Sequence, residues 1–480
     1  MAPSMHTLAG SPDAAACRLA AACVVSLASS GGSEGQVSAV PLAPVARFHA
    51  LERLHAERLY LAGSADHLWG LTRLRSLKLD DSFDSGSFAG LSRLSCLDEL
   101  QLGRCSSVAE VARALASLAS LTSLAVSPIG GGIAANWRQL TALSQLEELA
   151  LDCLADISEV APLFPALSPR LRSLWLTAEG LPDVPAQLSA CSGLTNLMLQ
   201  NSNSFVGPAA PTAAGLQALA SLTGLQQLAL RWHCTLSGAE ACSALAALPA
   251  LTSIELAYTL SSDGWQGLSS LRHLRTATLE GCKLPGLSPL LGLASLMRLD
   301  LSSNFLNAVA VFQPGAVAAH HMLDTSGLET CTQLRELSFE YCKQQTLPAS
   351  LSVLQGLTAL NLSGNTLGGG WEHLRPLQLL ARLDLHYCHQ PAVPASLSTL
   401  TLLTHLNLSS NRIGGGWDHL RPLQQLACLK LSDCSLVGVP SGLSVLTSLT
   451  HLDLRHSSIQ SGWEHLQPLT QLHEMLTGWL

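Results

Sequence analysis

The stretch LTALNLSGN, from Leu357 to Asn365, fits a simple pattern: leucine, two residues, leucine, one residue, leucine, two residues, then Asn or Cys. The pattern recurs directly afterwards as LARLDLHYC (Leu380–Cys388), LTHLNLSSN (Leu403–Asn411) and LACLKLSDC (Leu426–Cys434). Its last position advances by 23 residues at every step from residue 342 to residue 457. Such strict spacing predicts a repeat architecture in which each copy stacks on the next.

The central LxL of each copy predicts a short β-strand with one buried face. Side chains alternate between the two faces of a strand, so the two leucines point inward and the residue between them points outward. Only a neighbouring copy can cover those leucines, and burying each one contributes about 1.5 to 3 kcal/mol. A single copy therefore cannot fold alone, whereas a stack can offset the backbone entropy.

The pattern LxxLxLxx[NC] resembles the leucine-rich repeat family over roughly 435 of the 480 residues. The resemblance implies an α/β solenoid, a leucine-rich repeat horseshoe with a concave parallel β-sheet. Short turns or 3₁₀ segments are expected on the convex side, because 23 residues with Pro after Leu or Val leave little room for helices. About seventeen repeats are expected. The last position of the earlier ones is assigned to Asn304, Cys282, Thr259, His233, Ser202, Glu179, Leu154, Ile129, Cys105, Ser82 and Ser64.

The Asn or Cys at the last position and the 46-residue duplication both have structural interpretations. An Asn can bond to backbone groups of the turn, and a Cys fits the same narrow site as a weak donor. Trp371, Trp417 and Trp463 lie 46 residues apart in near-copies of GGGWEHLRPL. We interpret these tryptophans as packing residues of the outer turn rather than as a ligand site.

The chain is expected to contain one repeat domain with irregular ends. Residues 1–45 are interpreted as a disordered Ala/Ser/Gly-rich tail or a transit peptide, and residues 46–480 as the solenoid with an incomplete last repeat. An insertion is expected near residues 305–328. It is interpreted as an extruded loop, with a docking loop using Phe312, His320, His321 and Met322 as the alternative.

Composition excludes several classes of function. The formal net charge is −8 and basic residues do not cluster, so no nucleic-acid partner is expected. No apolar run reaches the length of a membrane span. No nucleotide-binding, hydrolase, zinc-protease or kinase motif occurs, so no catalytic residue, cofactor or metal is expected. Most of the assigned cysteines occupy repeat positions, which favours reduced thiols and a cytoplasmic location; the ciliary axoneme or the chloroplast is the alternative.

Function is then expected on the outward strand positions, where the fold leaves side chains free to vary. Aromatic and charged residues dominate binding energy at protein interfaces. The candidate partner-binding residues are Trp175, Met198, Arg231, Trp232, Glu255, Tyr258, Glu340, Tyr341, Asp384, His386 and Tyr387. The sequence therefore predicts a concave protein-binding face.

Three functions fit this prediction. The first is a non-catalytic protein-interaction scaffold whose partner is an unidentified protein. The second is a substrate-recognition subunit of a ubiquitin ligase resembling F-box proteins, which needs an adaptor-binding helical domain near Val40–Leu61. The third is a fragment of a larger leucine-rich repeat receptor or signalling protein. End-to-end self-association through the uncapped last repeat is a further expectation.

The repeat length refines the resemblance. The alternating Asn and Cys are similar to those of ribonuclease-inhibitor-like proteins, but the repeats of that group are longer and helical outside. The 23-residue form with LP is similar to intracellular Ras-pathway scaffolds. The Ala-, Leu- and Gly-rich near-copies are similar to repeat families of green algae.

Overall fold

A computed structural model describes the chain over sixteen ranges. They are residues 25–28, 39–41, 47–57, 60–62, 67–80, 88–105, 108–128, 137–167, 170–181, 183–201, 212–231, 238–257, 265–282, 284, 286–304 and 323–478. The chain divides into two compact units, Met1–Arg231 and Trp232–Leu480, which we call unit 1 and unit 2. Each unit is built from parallel strands joined by turns and short helices.

Unit 1 contains eleven described strands. They are β1 (Val25–Ala28), β2 (Ala39–Pro41), β3 (Arg53–Glu57), β4 (Tyr60–Ala62), β5 (Ser76–Asp80), β6 (Glu99–Cys105), β7 (Ser123–Pro128), β8 (Glu148–Asp156), β9 (Ser173–Gly180), β10 (Asn196–Asn201) and β11 (Gln227–Arg231). β1 pairs with β3, β3 with β5, and each later strand up to β11 with the next, always in parallel. β2 and β4 form a separate parallel pair. The predicted tail, residues 1–45, contains β1 and β2, and its remaining residues lie outside the described ranges.

Unit 2 contains ten described strands, most of only three residues. They are β12 (Ser253–Ala257), β13 (Thr276–Thr278), β14 (Arg298–Asp300), β15 (Glu336–Ser338), β16 (Ala359–Asn361), β17 (Arg382–Asp384), β18 (His405–Asn407), β19 (Cys428–Lys430), β20 (His451–Asp453) and β21 (Glu474–Leu476). Each pairs in parallel with the next. The central residue of each strand is in register with that of its neighbours, as Leu360 is with Leu337 and Leu383. Each 23-residue copy therefore contributes one strand, as the sequence predicts.

The segments between strands are mostly 3₁₀ turns. In unit 1 these turns are Ala89–Arg93, Leu115–Ser117, Trp137–Ala142, Ile157–Glu159, Ala161–Leu163 and Ala186–Ala190. In unit 2 they are Trp265–Ser270, Ser288–Leu290, Leu328–Thr330, Ala349–Val353, Trp371–Leu374, Ala395–Thr399, Trp417–Leu420, Ser441–Val445 and Trp463–Leu466. These turns agree with the 3₁₀ segments implied by the repeat length.

The described residues include four short α-helices, which were not predicted from the sequence and lie in the irregular repeats. They are α1 (Val108–Ala114), α2 (Phe164–Leu167), α3 (Ala213–Ala220) and α4 (Gly238–Ala246). α3 lies in the repeat between the assigned last positions Ser202 and His233, which has eight residues more than a standard copy. The extra residues give the backbone room to complete α-helical turns. The hydroxyl of Thr212 caps α3 by accepting from the backbone N–H of Gly215 at 3.2 Å.

The core is a stack of leucines from successive copies. In the copy that contains β16, Leu351, Leu354, Leu357, Leu360 and Leu362 are each at most 2% exposed. The residues on either side of Leu360 are only partly buried. Inward leucines and outward variable residues therefore alternate as the LxL pattern predicts.

Asn at the last position forms the expected ladder of side-chain hydrogen bonds. Asn365 is 1% exposed, and its Nδ2 donates to three backbone carbonyls at 2.7, 2.8 and 3.2 Å. Its Oδ1 accepts from the backbone N–H groups of Cys342 and Gln344, in the preceding copy, at 3.1 and 2.9 Å. Asn411 repeats this arrangement with Cys388 and Gln390. Each Asn thus joins two copies of the repeat.

Cys at the same position makes fewer bonds. The thiol of Cys388 donates to the carbonyl of Leu362, with the two atoms 3.1 Å apart, and the thiol of Cys342 donates to that of Leu301, also at 3.1 Å. Burial raises the pKa of each of these two thiols to about 12. The interpretation of these cysteines as small buried donors is confirmed.

In unit 1 the assignments of the last position to Glu179 and Ser202 were wrong by one residue. Glu179 is exposed, whereas Ala178 before it is fully buried. Ala178 is in register with Asn201, which is 7% exposed and fills the place assigned to Ser202. The cause is a register shift between β8 and β9. Over the shifted stretch β8 has one residue more than β9, so a count that fits β8 ends one residue too far along β9.

The Gly-Trp turns of unit 2 require glycine, and their tryptophans are partly buried at Trp371 and Trp417 but 42% exposed at Trp463. Gly370, Gly416 and Gly462 precede Trp371, Trp417 and Trp463, and have φ of 78°, 78° and 82°. A Cβ atom on Gly416 would lie 2.6 Å from the carbonyl oxygen of Val393. Only glycine fits this left-handed turn without strain.

Candidate functional site

Each sheet has three columns of polar or variable positions that run across its strands, and several members of the third are buried. We define the first column as the residue before the registered central residue of each strand, the second column as the residue after it, and the third column as the residue three positions after it. Adjacent members of a column lie about 4.8 Å apart, the spacing of neighbouring strands. The exposed members of these columns are the surface that the fold offers to a partner.

The second column of unit 1 contains a run of apolar residues across five neighbouring strands. We call this run the apolar strip; its members are Ala125, Ala150, Trp175, Met198 and Ala229. Trp175 is 46% exposed although large apolar side chains elsewhere in the chain are mostly buried. Its strand neighbours in register are Ala150 and Met198. The strip therefore offers an aromatic ring beside a low floor of alanine.

Polar side chains border the apolar strip on both sides. On β8 the borders are two carboxylates, Glu148 in the first column and Asp152 in the third. Glu148 accepts from the hydroxyl of Ser123 at 3.0 Å, and Asp152 accepts from that of Ser127 at 3.3 Å. At the other end of the strip Arg231 donates to Gln200 at 3.4 Å. The strip thus has an acidic end and a basic end.

The first strands of unit 1 carry paired charges instead. Arg75 contacts Asp98 at 3.0 Å, and Lys78 contacts Glu99 at 2.6 Å, beside a cavity of about 410 Å³. Burial opposes ionisation of Glu99, but the hydrogen bonds from Lys78 and Ser76 outweigh it and lower the pKa of that carboxyl. These charged side chains therefore largely pair with one another.

In unit 2 polar side chains of the second column accept hydrogen bonds from the backbone where their own strands end. Five of its residues accept a hydrogen bond from the backbone N–H two positions later, at 2.8–3.1 Å. They are Asp300, Asn361, Asp384, Asn407 and Asp453. Such side-chain turns replace backbone partners lost where a strand ends. The acidic groups of this column are therefore used by the fold.

The first column of unit 2 contains a charged bridge. Arg298 and Arg382 both contact Glu336, at 3.4 and 3.3 Å. Arg382 lies two strands from Glu336, and the residue between them in the column is the small Ala359. All four residues line a cavity of about 500 Å³ over β13–β19. This bridge was not predicted from the sequence, although an Ala between charged residues in one column is the pattern that indicates it.

Two of the predicted site residues, Tyr341 and Tyr387, occupy equivalent positions one residue past the third column. Both are nearly half exposed and have positive φ, 51° and 52°. This conformation lets the N–H of Tyr341 donate to Ser363, and that of Tyr387 to Ser409, in the next copy. The ring of Tyr387 lies 4.8 Å from that of His389 and 6.3 Å from that of His386. The rings form an exposed patch at the strand ends.

The remaining predicted site residues fall into three groups. Glu340 accepts from Asn361 at 3.0 Å, and Asp384 accepts from Ser363 and Asn407 at 2.7 and 3.0 Å, so both belong to internal networks. Glu255 is an outward residue of β12. Trp232 and Tyr258 lie outside the described residues, as do Phe312, His320, His321 and Met322 of the predicted insertion.

Two kinds of site were sought in the described ranges: a metal centre and a membrane span. Within them, no three His, Cys, Asp or Glu side chains are grouped so that they could hold a metal ion. No helix in the same ranges is long and apolar enough to cross a membrane. Side chains of β21 at the end of unit 2, including Met475 and Leu476, are exposed. The expected self-association through this repeat stays a prediction.

Known proteins resemble the chain in structure rather than in sequence. No protein-family model matches it, and no curated protein matches it. An internalin (inlF) of Listeria monocytogenes is 23% identical, with 75% of this chain and 88% of that one covered and a TM-score of 0.49. A leucine-rich repeat protein of Leptospira interrogans is 19% identical, with 97% and 98% covered and a TM-score of 0.44.

TLR13, in its complex with ssRNA13, has a TM-score of 0.57 to this chain. It is 20% identical, and the alignment covers 89% of this chain and 70% of that one. The shared feature is the parallel sheet of short strands connected by turns, which is also what the LxxLxLxx[NC] copies predict. The chain therefore has the leucine-rich repeat fold.

Proposed function

We propose that this chain is a non-catalytic protein-interaction scaffold that binds a partner protein on the outward face of its sheet, the face that the sequence predicts to be concave. The apolar strip of unit 1 is the anchor. Trp175 and Met198 are its two large side chains, and the flanking alanines leave both accessible to a partner. Arg231 belongs to the same surface as its basic border.

The observation that carries this proposal is the exposure of Trp175 beside Met198. Binding energy at interfaces is concentrated in a few aromatic anchors, whose truncation costs about 2 to 4 kcal/mol. A sheet face that needed only solubility would carry polar side chains in these places, as the first column of the same strands does. An apolar run with polar borders has the anatomy of an interface core and its rim.

A ubiquitin-ligase subunit is less well supported. That function needs a helical adaptor-binding domain near Val40–Leu61. The described part of this segment includes β3, which pairs in register with β5 as part of the sheet. A role as part of a larger receptor or signalling protein remains compatible with the scaffold and stays a prediction.

Single-stranded RNA, which the TLR13 complex contains, is not the partner that the strip favours. Among its described border positions on β7–β11, Arg231 is the basic one, and Glu148 and Asp152 are acidic. A nucleic-acid site needs a basic surface that neutralises several phosphates. Single-stranded RNA is therefore expected to serve as a negative control in binding experiments.

Proximity labelling in cells tests the proposal. A biotin ligase fused to the full chain identifies neighbouring proteins by mass spectrometry. We expect labelling of the leading partner to fall at least tenfold in a Trp175→Glu, Met198→Glu double variant, because a charge at the anchor opposes burial.

A matched control separates the strip from exposed apolar residues in general. Val353, on a 3₁₀ turn of unit 2, is as exposed as Trp175, at 46%. Val353→Glu should keep the labelling pattern, and circular dichroism should be unchanged in all variants. Full labelling by the folded double variant would refute binding through the strip.

A further inference from the structure

We infer that the apolar strip accepts a basic–apolar segment of its partner: a Lys or Arg lies over Ala150 and a large apolar residue lies beyond Met198, over Ala229. The inference rests on the proposed function and specifies the chemistry of the partner. Its basis is the uneven distribution of side-chain size and charge along the strip.

The acidic end of the strip provides every contact that a long cationic side chain needs. Ala150 lies between Glu148 and Asp152 along β8, about 6.7 Å from each, because alternate residues of a strand are two rises apart. The methyl groups of Ala125 and Ala150 leave a low apolar floor for the aliphatic stem of Lys or Arg. The cationic group can then reach either carboxylate.

Trp175 forms the wall of this position. It is the register neighbour of Ala150 on β9, about 4.8 Å away, and nearly half of its surface is exposed. A cation over an indole ring is attracted to its face, and the attraction is strongest for Trp among the aromatic residues. One cation can therefore contact the ring and the carboxylates together.

Hydroxyl side chains occupy the column positions beside the two carboxylates. The three columns carry Ser123, Ala125 and Ser127 on β7, and Ser173, Trp175 and Thr177 on β9. The hydroxyls of Ser123 and Ser127 hold Glu148 and Asp152 in place by hydrogen bonds. These two hydrogen bonds thus orient the carboxylates at the surface.

The other end of the strip determines the direction of the segment. Ala229 offers a second low floor next to Met198, and Arg231 borders it with a positive charge. The two alanine floors, at Ala150 and Ala229, are three strands apart, about 14 Å. An extended peptide covers this distance in about four residues, at 3.3 Å each. The basic residue therefore precedes or follows the apolar residue by about four positions, with its charge away from Arg231.

Selection from a displayed library of random twelve-residue peptides tests this chemistry on the purified full chain. The expected result is at least tenfold enrichment of peptides with Lys or Arg about four positions from Leu, Ile, Met or Phe. Enrichment should disappear with Trp175→Ser and be retained with Trp175→Phe, which keeps an aromatic ring. A Glu148→Lys, Asp152→Lys variant should select acidic peptides instead.

Controls distinguish this inference from the proposed function. A Glu372→Lys, Asp418→Lys variant makes the same charge change on two exposed turns of unit 2 and should leave the selection unchanged. Selected peptides that are uncharged, or that bind equally to the Glu148→Lys, Asp152→Lys variant, overturn the inference, as does the absence of any enrichment. If the cellular partner still depends on Trp175 in that case, the proposed function stands; if no partner depends on Trp175, both fail.

Discussion

The outward face of unit 1 and that of unit 2 use the same positions for opposite purposes. In the second column of unit 2, residues such as Asp384 and Asn407 bond to each other and to the backbone of their own turn. In the second column of unit 1, Trp175 and Met198 point outward with alanines beside them. In the near-identical copies the polar side chains of this column bond to one another and to the backbone, whereas in the divergent copies the column contains exposed apolar side chains.

This difference follows from the length of the strands and the regularity of the copies. A three-residue strand ends so soon that an Asp or Asn must replace its next backbone partners. Strands of five to nine residues, as in β7–β11, continue the backbone ladder past that point and leave the second column free. The near-identical copies therefore use their second column for structure, whereas the divergent copies leave it for exposed apolar side chains such as Trp175.

The largest expected effect concerns thiol reactivity. Cys342 and Cys388 of unit 2 are buried with pKa values raised to about 12, whereas Cys96 of unit 1 is exposed. Since only the thiolate reacts, at pH 8 about one buried thiol in ten thousand is reactive. We expect iodoacetamide to label Cys96 at least a hundredfold faster than Cys342 or Cys388.

Peptide mass spectrometry of native protein, with unfolded protein as the control, measures this difference. Since the folded-state pKa is raised, the protection is full at neutral pH and decreases as pH rises toward 12. Equal labelling rates in the native protein at pH 8 would show that the copies of unit 2 are not stacked as described.

The buried ladder of unit 2 should tolerate loss of a Cys better than loss of an Asn. Asn365→Ala leaves two buried N–H groups without their acceptor and removes one donor from three carbonyls, of which those of Leu362 and Ser363 keep another donor, and it should cost about 3 kcal/mol. Cys388→Ala removes weak thiol bonds and costs about 1 kcal/mol. Urea unfolding followed by circular dichroism compares the two, and equal destabilisation would contradict the ladder.

The glycine turns offer a pair of variants one residue apart. Gly416→Ala places a Cβ against the carbonyl of Val393 at φ 78° and should destabilise unit 2 by about 2 kcal/mol. Gly415→Ala meets no atom within 4 Å and should change stability by less than about 0.5 kcal/mol. Thermal unfolding measures both. If Gly415→Ala were the more damaging variant, the turn would have another conformation.

The charged bridge of unit 2 should have the smallest effect. Glu336 contacts Arg298 and Arg382, but all three side chains are well exposed to water, which screens the attraction. Glu336→Gln should therefore cost no more than about 1 kcal/mol and should not alter partner binding. A loss of partner labelling in this variant would show that the interface lies on unit 2 instead.

The regular part of the fold could be predicted from sequence because its physics is local and periodic. The positions of Asn365, Cys388 and Asn411 follow from 23-residue spacing, and each makes the bonds expected of it. The buried positions Ala178 and Asn201 could not be placed, because the register shift depends on how β8 and β9 pair. Helices α1–α4 could not be predicted either, because the length of an irregular repeat does not by itself determine which conformation its extra residues adopt.

The candidate site was only partly predictable for a similar reason. Trp175 and Met198 were identified as outward residues from the LxL alternation alone. The role of Ala150 between Glu148 and Asp152 emerges only when three strands are placed side by side. Conversely, Asp384 and Glu340 were proposed as partner contacts, whereas hydrogen bonds within unit 2 already occupy them.

Photo-cross-linking from matched positions in the two units tests the central claim most directly. A benzophenone amino acid replaces Met198 of β10 in one variant and Lys430 of β19, an exposed residue of the same column, in the other. We predict cross-links to one discrete partner protein from position 198, lost on Trp175→Glu, and none to that partner from position 430. Cross-links to the partner from position 430 and not from position 198 would contradict the account.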